Sequence, residues 1–290
     1  MNTSIIIVNY NGLRFTQQCL ESLYRFHAPG TVEVIVVDNN SSDGSQNKLP
    51  RLFPAINLVP LPENRGFGAA NNIGAKKAKG DFLFFVNNDT IFTEETVDAL
   101  QQMLLKQNEH GIVGPKLLNE DSSFQRSFGE FPSIRNELAE KRLAGNHSSQ
   151  VTTSEQPVRK DWVTGAAFMI KRELFEAVGG FDDGFFMYFE DIDLCRTLAE
   201  RGLWSLYVPA VAMIHLGGKS YGAKDRRITM EYRRSQLRYY DKHNSRFQRF
   251  MVRSYIILKF IPKITEHGGI NQMLDLVKMV CTSQQKNILR

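Results

Sequence analysis

The chain opens on Ser4-Ile-Ile-Ile-Val8, a short apolar run rich in β-branched residues. With no polar position to face water, such a run predicts a strand buried on both faces. Leu13 to Phe26 then places Cys19, Leu20, Leu23 and Phe26 on one stripe at helical spacing. Val32 to Val37 predicts a second buried strand, and Asn39 to Gly44 is turn chemistry. Ile56 to Val59 is expected as a third strand, Gly66 to Lys79 as a helix opening on small residues, and Phe82 to Val86 as a fourth strand. At Thr93-Glu94-Glu95-Thr96 the acids of a first turn predict another helix, running to about Asn108. Strands alternating with helices predict an α/β fold: a central, mostly parallel sheet flanked by helices.

The second half is less periodic. Asn146 to Lys160 is polar, rich in Ser and Thr, and is expected as a mobile surface loop. Trp162 to Ile170 predicts a strand, Lys171 to Val178 a short helix ended by Gly179-Gly180, and Asp191 to Arg201 a helix ended at Gly202. Trp204 to Val208 and Val211 to Ile214 predict two more strands. Beyond Lys219 the pattern is helical and basic, a C-terminal helical appendage. No internal repeat or low-complexity tract interrupts it.

Composition narrows this picture. With 290 residues, 42% of them hydrophobic and 23% charged, the chain has material for one large globular domain with an appendage. Its three cysteines, Cys19, Cys195 and Cys281, are odd in number and far apart, which implies neither a disulfide framework nor a zinc ribbon. A reducing, cytoplasmic setting is expected. No basic leader precedes the first apolar run, and no stretch is long enough to predict a membrane span. The net charge of +5 is uneven. Lys219 to Lys263 holds 13 Lys and Arg against three acids, leaving 23 basic and 28 acidic residues elsewhere. That asymmetry marks the C-terminal segment as a surface of its own.

In open α/β sheets ligands bind beyond the carboxyl ends of the strands. The predicted strands end in Asn9-Tyr10-Asn11, in Asp38-Asn39, in Asn87-Asn88-Asp89 and in His215. Each alone has an ordinary explanation: Asp38 a turn, Asn87 to Asp89 a turn before a helix, His215 a satisfied structural histidine. Four such ends at one sheet edge point to one site. The run Phe185-Phe-Met-Tyr-Phe189 before Glu190-Asp191-Ile192-Asp193 is the sharpest local feature. A helix N-terminus accounts for acids there, but not for two adjacent carboxylates behind five bulky side chains. Apolar walls raise a carboxylate's pKa and a helix N-terminus lowers it, the compromise a general base needs. Asp193 is assigned a structural role, with Arg196 three residues on. Gly66-Phe-Gly68 lacks the third glycine of a dinucleotide fingerprint, since Asn71 stands there, which argues against a nicotinamide enzyme.

Taken together, Ile5 to Asn11, Val36 to Asp43, Asn64-Arg-Gly-Phe-Gly68, Phe85 to Asp89, Trp162 to Ala167, Gly179 to Asp182 and Phe186 to Leu194 resemble family-two glycosyltransferases, in particular the bacterial rhamnosyltransferase-like branch. The resemblance covers about residues 4 to 218. It implies the glycosyltransferase A fold, with a nucleotide-binding half over about 1–115, an acceptor-side half over 116–218 and the basic helical region over 219–290. It implies inverting transfer of a sugar, rhamnose from dTDP-rhamnose with UDP-hexoses as the alternative donor, to a hydroxyl of a growing cell-surface polysaccharide or lipid-linked glycan. A catalytically silent nucleotide-sugar-binding protein is the rival reading. By position, Asp191 is the base and Glu190 its acidic neighbour. Asn9, Tyr10, Asp38, Arg65, Gly66 and Asn88 are placed near the nucleotide, Asp89 and His215 on a metal, and Trp162, Gly165 and Tyr188 on the acceptor side. The metal motif departs from two carboxylates: Asn stands for the first Asp. One carboxylate and one imidazole suit Mn²⁺ or Mg²⁺, with the imidazole favouring Mn²⁺.

The basic helices leave three readings open. They lie on anionic lipid at the inner face of the cytoplasmic membrane, or their apolar face packs on the catalytic domain or on a second subunit in a homodimer. Nucleic acid is the third and is not expected, because no recognisable binding motif accompanies the charge.

Overall fold

The computed structural model describes residues 2–106, 109–136, 156–217, 226–260 and 277–278. The first half follows the predicted alternation: β1 (Thr3–Asn9), α1 (Leu13–Phe26), β2 (Glu33–Asp38), α2 (Ser45–Leu52), β3 (Asn57–Pro60), α3 (Phe67–Lys77) and β4 (Phe82–Asn87). β1 pairs in parallel with both β2 and β4, and β2 in parallel with β3. Ile5, Ile6 and Ile7 are fully buried because successive residues supply opposite faces. Ile5 and Ile7 pack with Leu20 and Leu23 of α1, whereas Ile6 packs with Phe85 and Phe175 on the other side.

The sheet continues through β5 (Thr90–Phe92), α4 (Thr96–Lys106), β6 (His110–Leu118), β7 (Phe124–Gln125), β8 (Phe128–Gly129), β9 (Val158–Lys160), β10 (Trp162–Val163), β11 (Ala167–Lys171), α5 (Arg172–Ala177), α6 (Glu190–Ala199) and β12 (Trp204–His215). Its order is β3-β2-β1-β4-β11-β6-β12-β5, with β7 and β9 paired off this path. β11 enters antiparallel between β4 and β6, and β12 runs parallel to β6. The result is a mixed, mostly parallel sheet with helices on its faces.

Several expectations change. The helix expected from Thr93 begins at Thr96, because Thr90–Phe92 pairs with β12 as an edge strand. Its expected end at Asn108 lies outside the described residues. α2 and β6 were not expected. β6 contains Gly111, Gly114 and Pro115, residues that read as breakers, yet Gly114 is required: a Cβ there would lie 2.9 Å from Cβ of Val163. The strand expected over Trp162 to Ile170 is two, β10 and β11, interrupted at Thr164-Gly165-Ala166. The two expected over Trp204 to Ile214 are one, with a register shift between Val208 and Ala212 around Pro209. Of the expected loop over Asn146 to Lys160, Val158–Lys160 is strand β9 on β12, and 146–155 lie outside the described residues.

Two helices follow, α7 (Arg226–His243) and α8 (Arg246–Phe260). They share a core in which Met230, Leu237, Tyr240, Val252 and Ile256 close over Phe185 and Phe189. The basic segment is thus packed onto the aromatic run that precedes α6. No described helix is long and apolar enough to cross a membrane.

Candidate active site

The carboxyl ends of the central strands open into a cavity of about 720 Å³. Its floor is the end of β4. Asp89, 5% exposed, presents Oδ1 3.2 Å from Nε2 of His215 at the end of β12. Nδ1 of the same ring lies 2.6 Å from the side-chain amide oxygen Oε1 of Gln125. That oxygen only accepts, so Nδ1 donates to it and Nε2 is the nitrogen turned to Asp89. The amide of Asn87 reaches the same nitrogen at 3.3 Å, and its buried Oδ1 has no hydrogen-bond partner. A carboxylate oxygen and an imidazole nitrogen 3.2 Å apart have the separation of two neighbouring ligands on one cation with bonds of about 2.0–2.1 Å. These residues therefore fit a divalent metal. Among the described residues no group of three or more His, Cys, Asp or Glu does so, which leaves the remaining positions to oxygens of a ligand.

Of the residues at the ends of β1, β2 and β4 and at the start of α3, Tyr10, Asn39, Asn64, Gly66 and Asn88 reach the cavity wall. Asn9, Asp38 and Arg65, placed there by the sequence reading, do not. Asp38 is fully buried and accepts from Asn9 Nδ2 at 2.7 Å, Gln46 Nε2 at 2.8 Å and Ser41 N at 2.9 Å. Asn9 is likewise occupied, its Oδ1 accepting from Thr16 Oγ1 at 2.7 Å. These two side chains brace the ends of β1 and β2 behind the wall. Arg65 points outward, 3.9 Å from Glu63, with half its side chain exposed.

The opposite wall is the aromatic run. Tyr188 and Phe189 both take left-handed backbone conformations, at φ 70° and 67°. Two bulky residues in succession there are uncommon and strained, and they turn the chain sharply into α6. Phe186 carbonyl accepts from Phe67 N at 2.8 Å, and Gly66 lies against that carbonyl so closely that a Cβ would overlap it. The start of α3 and the aromatic run are thereby stitched together.

Glu190 and Asp191 occupy the first turn of α6 inside the cavity. Burial raises the Glu190 carboxyl well above the usual range, and the neighbouring Asp191 charge raises it further. Its Oε2 is buried and accepts no hydrogen bond. Burial also raises Asp191, opposed by backbone donors: Gly165 N reaches Oδ2 at 2.6 Å and Ile192 N reaches Oδ1 at 2.8 Å. Gly165 leaves room for this contact, since a Cβ would sit 3.2 Å from Cβ of Asp191. Asp193 is structural, but its partner is not Arg196, which pairs with Glu200. Instead Lys242 Nζ and His243 Nε2 of α7 hold it at 2.8 and 2.7 Å.

Trp162, Gly165 and Tyr188 all line the cavity, so the three acceptor-side expectations converge. Trp162 is fixed by its indole N–H donating to Glu130 carbonyl at 2.8 Å. The sequence reading missed Gln125 and Tyr232, and gave Asn39 no role beyond its place at a strand end. Gln125 and Tyr232 lie where no strand-end signal led: one in a two-residue strand, the other on α7. Asn39 was visible as a strand end. It joins β2 to the start of α3, donating to Asn64 Oδ1 at 2.8 Å and to Gly66 carbonyl at 3.2 Å.

The profile of the family described as glycosyl transferase family 2 matches residues 4–193. The chain is 28% identical over 212 residues to the N-acetylglucosaminyl-diphospho-decaprenol L-rhamnosyltransferase of Mycobacterium tuberculosis, covering 66% of this chain and 68% of that protein. It is 27% identical over 224 residues to the rhamnosyltransferase WbbL of Escherichia coli, covering 73% and 82%. Among solved structures, GalNAc-T7 with UDP, GalNAc and Mn²⁺ matches with a TM-score of 0.61 at 20% identity, covering 81% of this chain and 47% of that one. Mannosyltransferase PcManGT from Pyrobaculum calidifontis, in complex with GDP-Man and Mn²⁺, matches with a TM-score of 0.57 at 18% identity, covering 98% and 76%. These structural likenesses establish the glycosyltransferase A fold.

Proposed function

Because the chain belongs to glycosyl transferase family 2, we propose that it transfers rhamnose from dTDP-rhamnose, with inversion, to a hydroxyl of a growing cell-surface polysaccharide or lipid-linked glycan. One observation carries the reaction class. Asp191, aimed by Gly165 N and Ile192 N, shares a single cavity with the Asp89–His215 pair. A base and a diphosphate-side metal site on facing walls are what a single displacement requires. The choice of rhamnose follows the rhamnosyltransferases among its relatives.

In this reading the acceptor hydroxyl lies against Asp191 Oδ1 or Oδ2, with Trp162 and Tyr188 as walls. Asp191 takes the hydroxyl proton while the acceptor oxygen bonds to the anomeric carbon. The bond from that carbon to the diphosphate oxygen breaks on the opposite face, and the electron pair leaves with the nucleoside diphosphate. Asp89 and His215 would hold Mn²⁺ or Mg²⁺, which would supply charge neutralisation at the leaving diphosphate. Tyr10, Asn39, Asn64 and Asn88 line the pocket for the nucleotide. Burial and the Asp191 charge push the Glu190 carboxyl up, whereas the Gly165 and Ile192 amides hold Asp191 down against its burial, which favours Asp191 as the base. The buried free thiols of Cys19 and Cys195 agree with a cytoplasmic setting.

Isothermal calorimetry of dTDP-rhamnose, UDP-hexoses and GDP-mannose, with and without Mn²⁺, tests donor and metal together. Metal-dependent binding of dTDP-rhamnose above the others is the expected result. Preference for a UDP-hexose moves the donor assignment while keeping the reaction class, and no nucleotide-sugar binding at all removes the proposal.

A further inference from the structure

We propose that α8 is a docking surface for an anionic lipid bilayer. Seven large hydrophobic side chains are exposed among the described residues, and four of them are on this one helix: Phe247 at 70%, Phe250 at 66%, Met251 at 36% and Leu258 at 64%. They fall at i, i+3, i+4 and i+11, which places them along one side of the helix. The opposite side is already used: Val252 and Ile256 are fully buried in the core shared with α7. Packing within the chain therefore explains one apolar stripe of α8 and leaves a second facing outward. Two aromatic rings held at that degree of exposure are not single scattered surface residues, which need no explanation.

The charge of the helix selects the occupant. α8 carries Arg246, Arg249, Arg253 and Lys259 and no acidic residue. Arg253 is bridged to Asp241 of α7 at 2.8 Å and Arg249 Nε donates to the Asn244 carbonyl at 2.9 Å, so Arg246 and Lys259 are the cations that flank the exposed stripe. A second copy presenting the same stripe would set these flanking cations against their equals, the like-charge arrangement that a self-complementary pairing must avoid. A bilayer with anionic headgroups meets both needs: the apolar stripe enters the boundary between headgroups and acyl chains, and the flanking Arg246 and Lys259 meet the negative surface. The inference stands apart from the choice of donor, since none of these residues lines the cavity. It gives the basic segment a role at a place fixed to the site, because α8 packs on α7 and Tyr232 of α7 lines the cavity.

The test is co-sedimentation of the full chain with vesicles of phosphatidylglycerol and phosphatidylcholine, beside vesicles of phosphatidylcholine alone. The expected result is binding to the first, weakened by high salt, and at least tenfold less to the second. The double substitution Phe247→Glu, Phe250→Glu is expected to lower partition onto the anionic vesicles about tenfold or more, with calorimetric donor binding unchanged. Because that variant changes two side chains at once, Phe250→Trp supplies a gain of signal: its emission shifts to the blue on anionic vesicles and stays put without them. Three outcomes overturn the proposal: no binding of the parent chain to anionic vesicles, full binding of the double variant, or a concentration-dependent dimer that the double variant abolishes. Loss of vesicle binding with donor binding intact separates this failure from failure of the transferase reading.

Discussion

Asp38 and Glu190 are both carboxylates withdrawn from water at the edge of the same sheet, and they are treated in opposite ways. Asp38 accepts three hydrogen bonds, from Asn9, Gln46 and the Ser41 amide. Glu190 has a buried oxygen that accepts none, beside a second carboxylate, at the end of two strained residues. A satisfied buried carboxylate fixes geometry, whereas an unsatisfied buried carboxyl group holds free energy that a ligand can release. The β2 end is thus built as a brace, and the start of α6 carries the proposed base.

The largest test of that contrast is Asp191→Asn. Turnover is expected to fall by about 10²–10⁴, the range that general-base help supplies, with donor affinity by calorimetry unchanged. A variant as active as the parent would move the base elsewhere. Next, Gln125→Leu removes the partner that fixes the His215 tautomer. Metal affinity, read from the Mn²⁺ dependence of donor binding, is expected to drop about 10–100-fold; an unchanged dependence would detach His215 from the metal. Asp38→Ala probes the brace. It leaves the Asn9 and Gln46 amides without their acceptor and is expected to cost about 1–3 kcal/mol in denaturant unfolding.

The smallest expected effect is the most diagnostic. The Glu190 carboxyl is raised in the folded chain, so its contribution to stability is fully present below the unfolded-state pKa and is lost as pH rises through the folded value. Glu190→Gln should therefore raise the melting temperature at neutral pH, and the advantage should fade on acidification. A variant that melts lower at neutral pH would mean that Glu190 is held as a satisfied charge, like Asp38. For the same reason turnover should fall, as pH is lowered, earlier than an ordinary aspartate would dictate, because burial raises Asp191 too.

How far the chain could be read from its residues follows from where its information lies. β1, α1 and β4 were legible because uninterrupted apolar runs and a helical stripe report burial directly. β6 was not, since Gly114 and Pro115 serve a neighbour: Gly114 makes room for Val163, which is distant in sequence. The site residues Asp89, His215 and Asp191 were found from strand ends and from the acidic run, and the fold brings them to one cavity. Asp38 was placed with them as a strand end and Arg65 by the resemblance, yet Arg65 turns to solvent and Asp38 is held by internal partners. Strand-end position tells which residues arrive at the edge, but not which way each side chain then turns. The partners of Asp193 were illegible for a related reason, as Lys242 and His243 lie about fifty residues on, in a helix whose docking no local pattern announces.

Gly66 is the hinge pin of the cavity. Any side chain there would force the Phe186 carbonyl away and part the start of α3 from the residues that lead into α6. Trp162 and Tyr232 meet the cavity from other elements, so the shape of that rim can be altered without parting the two.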